Sequence, residues 1–251
     1  MRRSLFFTLL ALTPLYSLAQ SDKPVQRKDS ITVSAGIPKE QLALESQLNG
    51  IISQGDQLLR SGNATDAVKQ YQYALDLVQK QPLLAERERW VEGKLARGYI
   101  GANRPMDAIP IYSKLLDEKK EDCAAKSAEV SDCADSEYEL GAAKMHAADF
   151  LGALGLLRDA DSKYAWVEKI SSDSHEFAMI QLKNQGQVKL LIAVALFRTG
   201  NAADAVTAVE AAMSQLTRVQ SDETITVGIR DDAAKSIHEA QTILSSLKSA
   251  R

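Results

Sequence analysis

Three histidines, two cysteines and many serines are the residues of this 251-residue chain best suited to chemistry, and their spacing argues against most of it. His146, His175 and His238 stand apart; none belongs to a His-Glu-x-x-His pair, which would set two imidazoles one helical turn apart around a metal. No serine occupies a Gly-x-Ser-x-Gly elbow, and no Ser-x-x-Lys arrangement has a fitting context. Gly152-Ala153-Leu154-Gly155 falls inside a predicted helix that follows no strand, so it is not a phosphate loop. Acidic residues are spread along helix surfaces. The expectation is a protein with no enzyme activity, no cofactor and no metal. Cys123 and Cys133, ten residues apart, match neither a redox Cys-x-x-Cys nor a zinc motif. In an exported chain a structural disulfide is favoured over two free thiols; closing such a loop is worth about 2.7 kcal/mol in the chain-entropy picture. Asn63-Ala64-Thr65 matches an N-glycosylation acceptor, but it also lies at a tight turn where asparagine has a backbone reason to be present.

The export argument comes from the N-terminus. Arg2 and Arg3 precede an apolar run from Leu5 to Leu18, and Ser17-Leu18-Ala19 sets small residues at −3 and −1 of a cleavage site before Gln20. Residues 1–19 read as a secretory signal peptide, too short for a stable membrane span, with a retained anchor as the alternative. No cysteine follows to accept a lipid. Losing Arg2 and Arg3 takes the formal charge from −3 to −5, and such a mildly acidic chain has no footprint for nucleic acid. The predicted location is the periplasm or the secreted space, and the mature protein is predicted not to span a membrane.

The rest of the chain must supply the scaffold. Hydrophobic residues make up 45%, aromatics only 6%, and there are six prolines, a mixture that favours helices packed through small side chains. Residues 20–37 are polar and lack helical period, so they read as a flexible leader; within it the alternating Ile31–Ser34 could pair with a strand edge elsewhere. From Pro38 onward helix follows helix. Breaks fall at Gly62-Asn63, Gln81-Pro82, Asn103-Arg104-Pro105, the cysteine loop, Ser171-Ser172-Asp173 and Gly200-Asn201. One order of residues recurs across these breaks: small, large, turn, small, aromatic, small. It runs Gly55, Leu58, Gly62-Asn63, Ala67, Tyr71, Ala74, and again Ala193, Leu196, Gly200-Asn201, Ala205, Val209, Ala212. Weaker copies are Ala96, Tyr99, Asn103, Ala108, Tyr112, Leu115 and Gly141, Lys144, Ala148-Asp149, Ala153, Leu157, Ala160. Small residues allow close helix approach, and a turn residue at positive φ sends the chain back. A last apolar stripe, Ile229, Ala233, Ile237, Ala240, Leu244 and Leu247, predicts a single helix covering the open end of the stack.

This pattern resembles the tetratricopeptide repeat family, most closely at Gly55–Ala74 and Ala193–Ala212. The steps between copies (41, 45 and 52 residues) exceed the 34 of the family, so helices or loops here are longer. The resemblance implies an all-α, right-handed superhelical solenoid occupying 38–249. Its hairpins would lie near 38–80, 82–120, 134–170 and 174–220, with a capping helix at 226–249. It further implies that the first helix of each hairpin lines a concave groove. Carried over by register, that groove receives Asn49, Asp56 and Arg60; Trp90, Lys94 and Arg97; Tyr138, Met145 and His146; and Val194, Phe197 and Arg198. Aromatic anchors beside guanidinium groups are the composition that dominates interface energetics. The function implied is a non-enzymatic adaptor or scaffold holding a protein or peptide partner. The alternative is a self-assembling subunit of an envelope complex, a homo-oligomer built through the terminal helix or Ile31–Ser34.

Overall fold

The computed structural model describes residues 39–124, 130–171 and 174–249, so the expected signal peptide (1–19), the expected leader (20–37) and Ile31–Ser34 lie outside the described residues. Every element there is helical: α1 (Lys39–Arg60), α2 (Ala64–Lys80), a 3-10 turn (Pro82–Arg87), α3 (Glu88–Gly101), α4 (Pro105–Asp117), α5 (Lys120–Ala124), α6 (Val130–His146), α7 (Phe150–Ile170), α8 (His175–Arg198), α9 (Ala202–Gln220) and α10 (Val227–Ser249). No helix among the described residues is long and apolar enough to cross a membrane.

Four of the turns are the same device. After α1, α3, α6 and α8 a residue at positive φ ends the helix: Gly62 at 82°, Asn103 at 57°, Ala148 at 60° and Gly200 at 91°. In each case its N–H and the next one reach back to the carbonyls of the closing turn, as Asn63 N does to Leu58 O and Asp149 N to Lys144 O, both at 2.9 Å. This closure satisfies carbonyls that a helix end otherwise leaves open. The next helix is then capped at once. The Asn63, Asp149 and Asn201 side chains accept from the backbone N–H of Asp66, Gly152 and Asp204 respectively. Asn63 is thus a helix cap in the structure.

Close approach is set by glycines facing large side chains. A Cβ on Gly55 of α1 would come within 2.6 Å of the Tyr71 ring, and one on Gly98 of α3 within 2.9 Å of its other edge. Tyr71 of α2 is fully buried in that slot. Gly141 plays the same part against Leu157, and Gly186 against Leu216. The repeat pattern identifies Gly55 and Gly141 but passes over Gly98 and Gly186, which lie outside its register.

Contacts group the described chain into two compact units, residues 39–115 and 116–249, dividing within α4, where the sequence pattern implies one repeat domain. In the first unit α2 packs on both α1 and α3, and α4 is tied to α3 by Lys114 and Glu92, 2.6 Å apart. Its core centres on Leu48, Ile52, Val68, Tyr71, Val78, Leu84 and Val91. In the second, α6, α8 and α10 form one layer; α7 packs between α6 and α8, and α9 between α8 and α10. Leu157, Tyr164, Leu190, Leu191, Val209, Leu216 and Leu247 fill the space between the layers. Two features differ from expectation. Residues Pro82–Arg87, with proline at the first position, form a 3-10 turn ahead of α3. Cys123 and Cys133 sit on helices α5 and α6, not in a loop, and are joined as a disulfide with Cα atoms 5.2 Å apart.

Candidate functional site

The groove residues expected from the sequence all fall on first helices, half in each unit. In the first unit Asp56 of α1 and Lys94 of α3 face each other: the ammonium lies 2.9 Å from Oδ2 and 3.1 Å from Oδ1. The buried Tyr71 adds its hydroxyl to Oδ1 at 2.6 Å. Lys94 is therefore engaged within the fold, its side chain only 15% exposed. Arg60 is exposed and Arg97 half-buried. Trp90 is 38% exposed, one of the largest apolar side chains on this surface. Arg87 lies 5.9 Å over the indole while its Nη2 donates to Glu45 of α1 at 3.0 Å, which fixes the guanidinium beside the ring.

The second unit treats its share differently. Met145 and Val194 are buried in the core and present no surface. Tyr138 and Phe197 pack half-buried against that core, and Arg198 stacks 5.0 Å over the Phe150 ring. His146 is half-buried, and burial lowers its imidazole pKa. Of the eight principal candidates, Arg60 and Trp90 are exposed and Arg97 is half-buried, while Lys94, Phe197 and Arg198 have identified contacts within the fold.

One arrangement leaves no trace in the sequence pattern. The position four residues before each small first-helix residue carries Ile51, Glu92, Glu137 and Lys189 in turn. The three charged ones are each neutralised from a second helix: Glu92 by Lys114 and Glu137 by Lys163, both at 2.6 Å, and Lys189 by Asp161. Glu92 and Glu137 are buried, and each leaves its Oε2 without a hydrogen bond. Burial raises the Glu137 carboxyl pKa, with Lys163 opposing the shift. Nothing in periodicity reveals such pairs, because each partner sits on another helix. Cys123, Cys133 and Glu137 bring potential ligand atoms within 4.8 Å of one another, but the sulfurs are bonded to each other and Glu137 to Lys163, so the set offers no metal site.

Helical hairpins with shared turn closures, caps and glycine slots define a tetratricopeptide-like repeat fold. Solved structures similar to it include the nearly identical TPR-like repeats of a Podosopora anserina chain assigned as a kinesin light chain, and a single-substitution variant of the same protein. They are 15% and 16% identical, with TM-score 0.50 in both cases, covering 81% of this chain and 94% of theirs. No protein-family model and no curated protein sequence matches the chain.

Proposed function

We propose that this chain is an exported, non-catalytic scaffold that holds a protein or peptide partner on its first-helix layer. The observation that carries the reading is Trp90. An indole left 38% exposed and steadied by an ion-paired Arg87 is chemistry that anchors interfaces and adds little to a monomer. Arg60 at the end of α1 and Arg97 on α3 are further guanidinium groups on first helices of the same unit, exposed and half-buried respectively. Export rests on the Arg2-Arg3, Leu5–Leu18 and Ala19 pattern, and the oxidised Cys123–Cys133 pair suits that compartment.

The test is cross-linked affinity capture from envelope extract, using the chain from Gln20 onward beside Trp90→Ala and an Arg60/Arg97→Ala double variant. Circular dichroism and a melting curve confirm that both variants fold. A partner present with the native chain and lost with the folded variants supports the reading. The same partner retained by both would move the site elsewhere. A mass that rises with concentration and no partner at all would favour the self-assembling alternative.

A further inference from the structure

The surface around Trp90 continues onto the neighbouring first helix. Arg87, whose guanidinium lies over the indole, reaches Glu45 of α1, and Leu42 stands one turn before Glu45 on the same flank of that helix. Leu42 is 53% exposed and Trp90 38%. Two large apolar side chains thus flank one ion pair, and the described residues leave both open. Together they offer roughly 200 Å², well short of the ~800 Å² that each partner gives to a stable protein–protein interface. A second copy of the chain finds too little here. A short apolar pair held close by a tether does not need more.

The chain itself carries such a pair. Helix α1 begins at Lys39, and residues 20–38, outside the described residues, run directly into it. The ion pairs Glu45–Arg87 and Asp56–Lys94 ascend α1 and α3 together, so the two helices are parallel. From the start of α1, Trp90 is then roughly 20 Å away, counting the rise along the axis and one interhelix spacing. The large apolar residues of the preceding segment are Val25, Ile31, Val33 and Ile37. Extended chain covers ~3.4 Å per residue, so Ile31 and Val33 reach about 27 and 20 Å from Lys39, while Ile37 stops at about 7 Å. Val25 stands alone between Pro24 and the polar run Gln26-Arg27-Lys28. Ile31 and Val33 alternate with Thr32 and Ser34, so an extended backbone turns both to one side, about 7 Å apart.

We infer that Ile31 and Val33 of the chain's own N-terminal segment dock on Trp90 and Leu42. The tether sets their local concentration near millimolar, so contacts too few to hold a separate molecule suffice. A partner that anchors on Trp90 has to displace them. The inference shares its indole with the scaffold reading and adds what occupies that site beforehand; the docking itself needs no partner.

The experiment uses the chain from Gln20 onward, labelled with 5-fluorotryptophan. Its two tryptophans, Trp90 and Trp166, give two fluorine signals, which either Trp90→Phe or Trp166→Phe assigns. In the Ile31→Ser/Val33→Ser double variant the Trp90 signal moves and its solvent isotope shift grows, while the Trp166 signal stays in place. Val25→Ser moves neither. Diluting the native chain about fiftyfold leaves the Trp90 signal unchanged, as a contact within one chain requires. Circular dichroism and a melting curve confirm that the variants fold. An unmoved Trp90 signal in the double variant overturns the inference, and so does an equal movement in Val25→Ser. A native signal that drifts on dilution gives the site to a second copy and overturns it as well. A partner captured through Trp90, with the Trp90 signal unmoved in the double variant, leaves the scaffold reading standing and removes this one. A moved signal with no partner captured does the reverse.

Discussion

Lys94 grips both carboxylate oxygens of Asp56, at 2.9 and 3.1 Å, and so joins the first helices of two successive hairpins. Both side chains are less than a fifth exposed, so removing one charge strands the other in a partly dry site. Lys94→Met is expected to lower unfolding free energy by about 1–3 kcal/mol. Adding Asp56→Asn should recover part of that loss. Urea denaturation of the two single variants and the double variant measures the coupling; strictly additive losses would show that the pair contributes nothing of its own.

Tyr71 occupies a slot that two glycines create. Gly55→Ala would place a methyl 2.6 Å from the ring, and Gly98→Ala would place one 2.9 Å from its other side. Overpacking of this kind costs about 1–3 kcal/mol. Gly55→Ala should therefore destabilise, and Tyr71→Leu in the same chain should restore part of the loss despite being destabilising alone. Melting curves of the four proteins test this directly.

Ala148 holds φ at 60°, a conformation that strains an L side chain and suits glycine. Ala148→Gly is expected to stabilise by about 1 kcal/mol, the relief of backbone strain being partly offset by a freer unfolded chain. Asn103, at φ 57°, should respond to glycine more weakly, since asparagine tolerates this region. A fall in unfolding free energy for Ala148→Gly would contradict the strain account.

Glu239 gives stability a defined pH dependence. An unperturbed glutamate carboxyl titrates at 4.5, and burial raises this one to about 7. Between those values the folded chain keeps the proton while the unfolded chain releases it. Stability therefore falls as pH rises from about 4.5 to 7, and the penalty is complete above that window. Glu239→Gln should flatten this slope relative to the native chain and raise the melting temperature by about 2–4 °C at pH 8. At pH 4 the two should melt together.

How much of this was written in the linear order of residues depends on the range of the interaction. The turns were legible, because Gly62, Asn103, Ala148 and Gly200 act on carbonyls a few residues back. The Gly55–Tyr71 contact was legible for a similar reason: both members lie within one hairpin. Glu92, Glu137 and Lys189 were not, since their partners lie 22, 26 and 28 residues away on other helices. The burial of Lys183 on α8, 4% exposed, was hidden by a different cause. Helix α8 is enclosed on nearly all sides, with burial almost continuous from Gln185 to Leu196, so no apolar stripe separates its faces. Trp90 was identified by residue type and register, but only the packed helices distinguish an exposed indole from an inter-helix core residue.

The charge pairs divide into two kinds with different uses. Glu92–Lys114 and Glu137–Lys163 each close within a single hairpin, whereas Asp56–Lys94 and Asp161–Lys189 each bridge one hairpin to the next. The first kind travels with its module; the second works as a connector whose two halves lie on different modules. A protein engineer who lifts out α8 and α9 for grafting onto another array carries Lys189 without Asp161. The recipient must then supply an acid at the matching place on its last helix, or accept a stranded ammonium at the new joint. These hairpins are keyed to their neighbours, and their order along the chain is specified by chemistry as well as by shape.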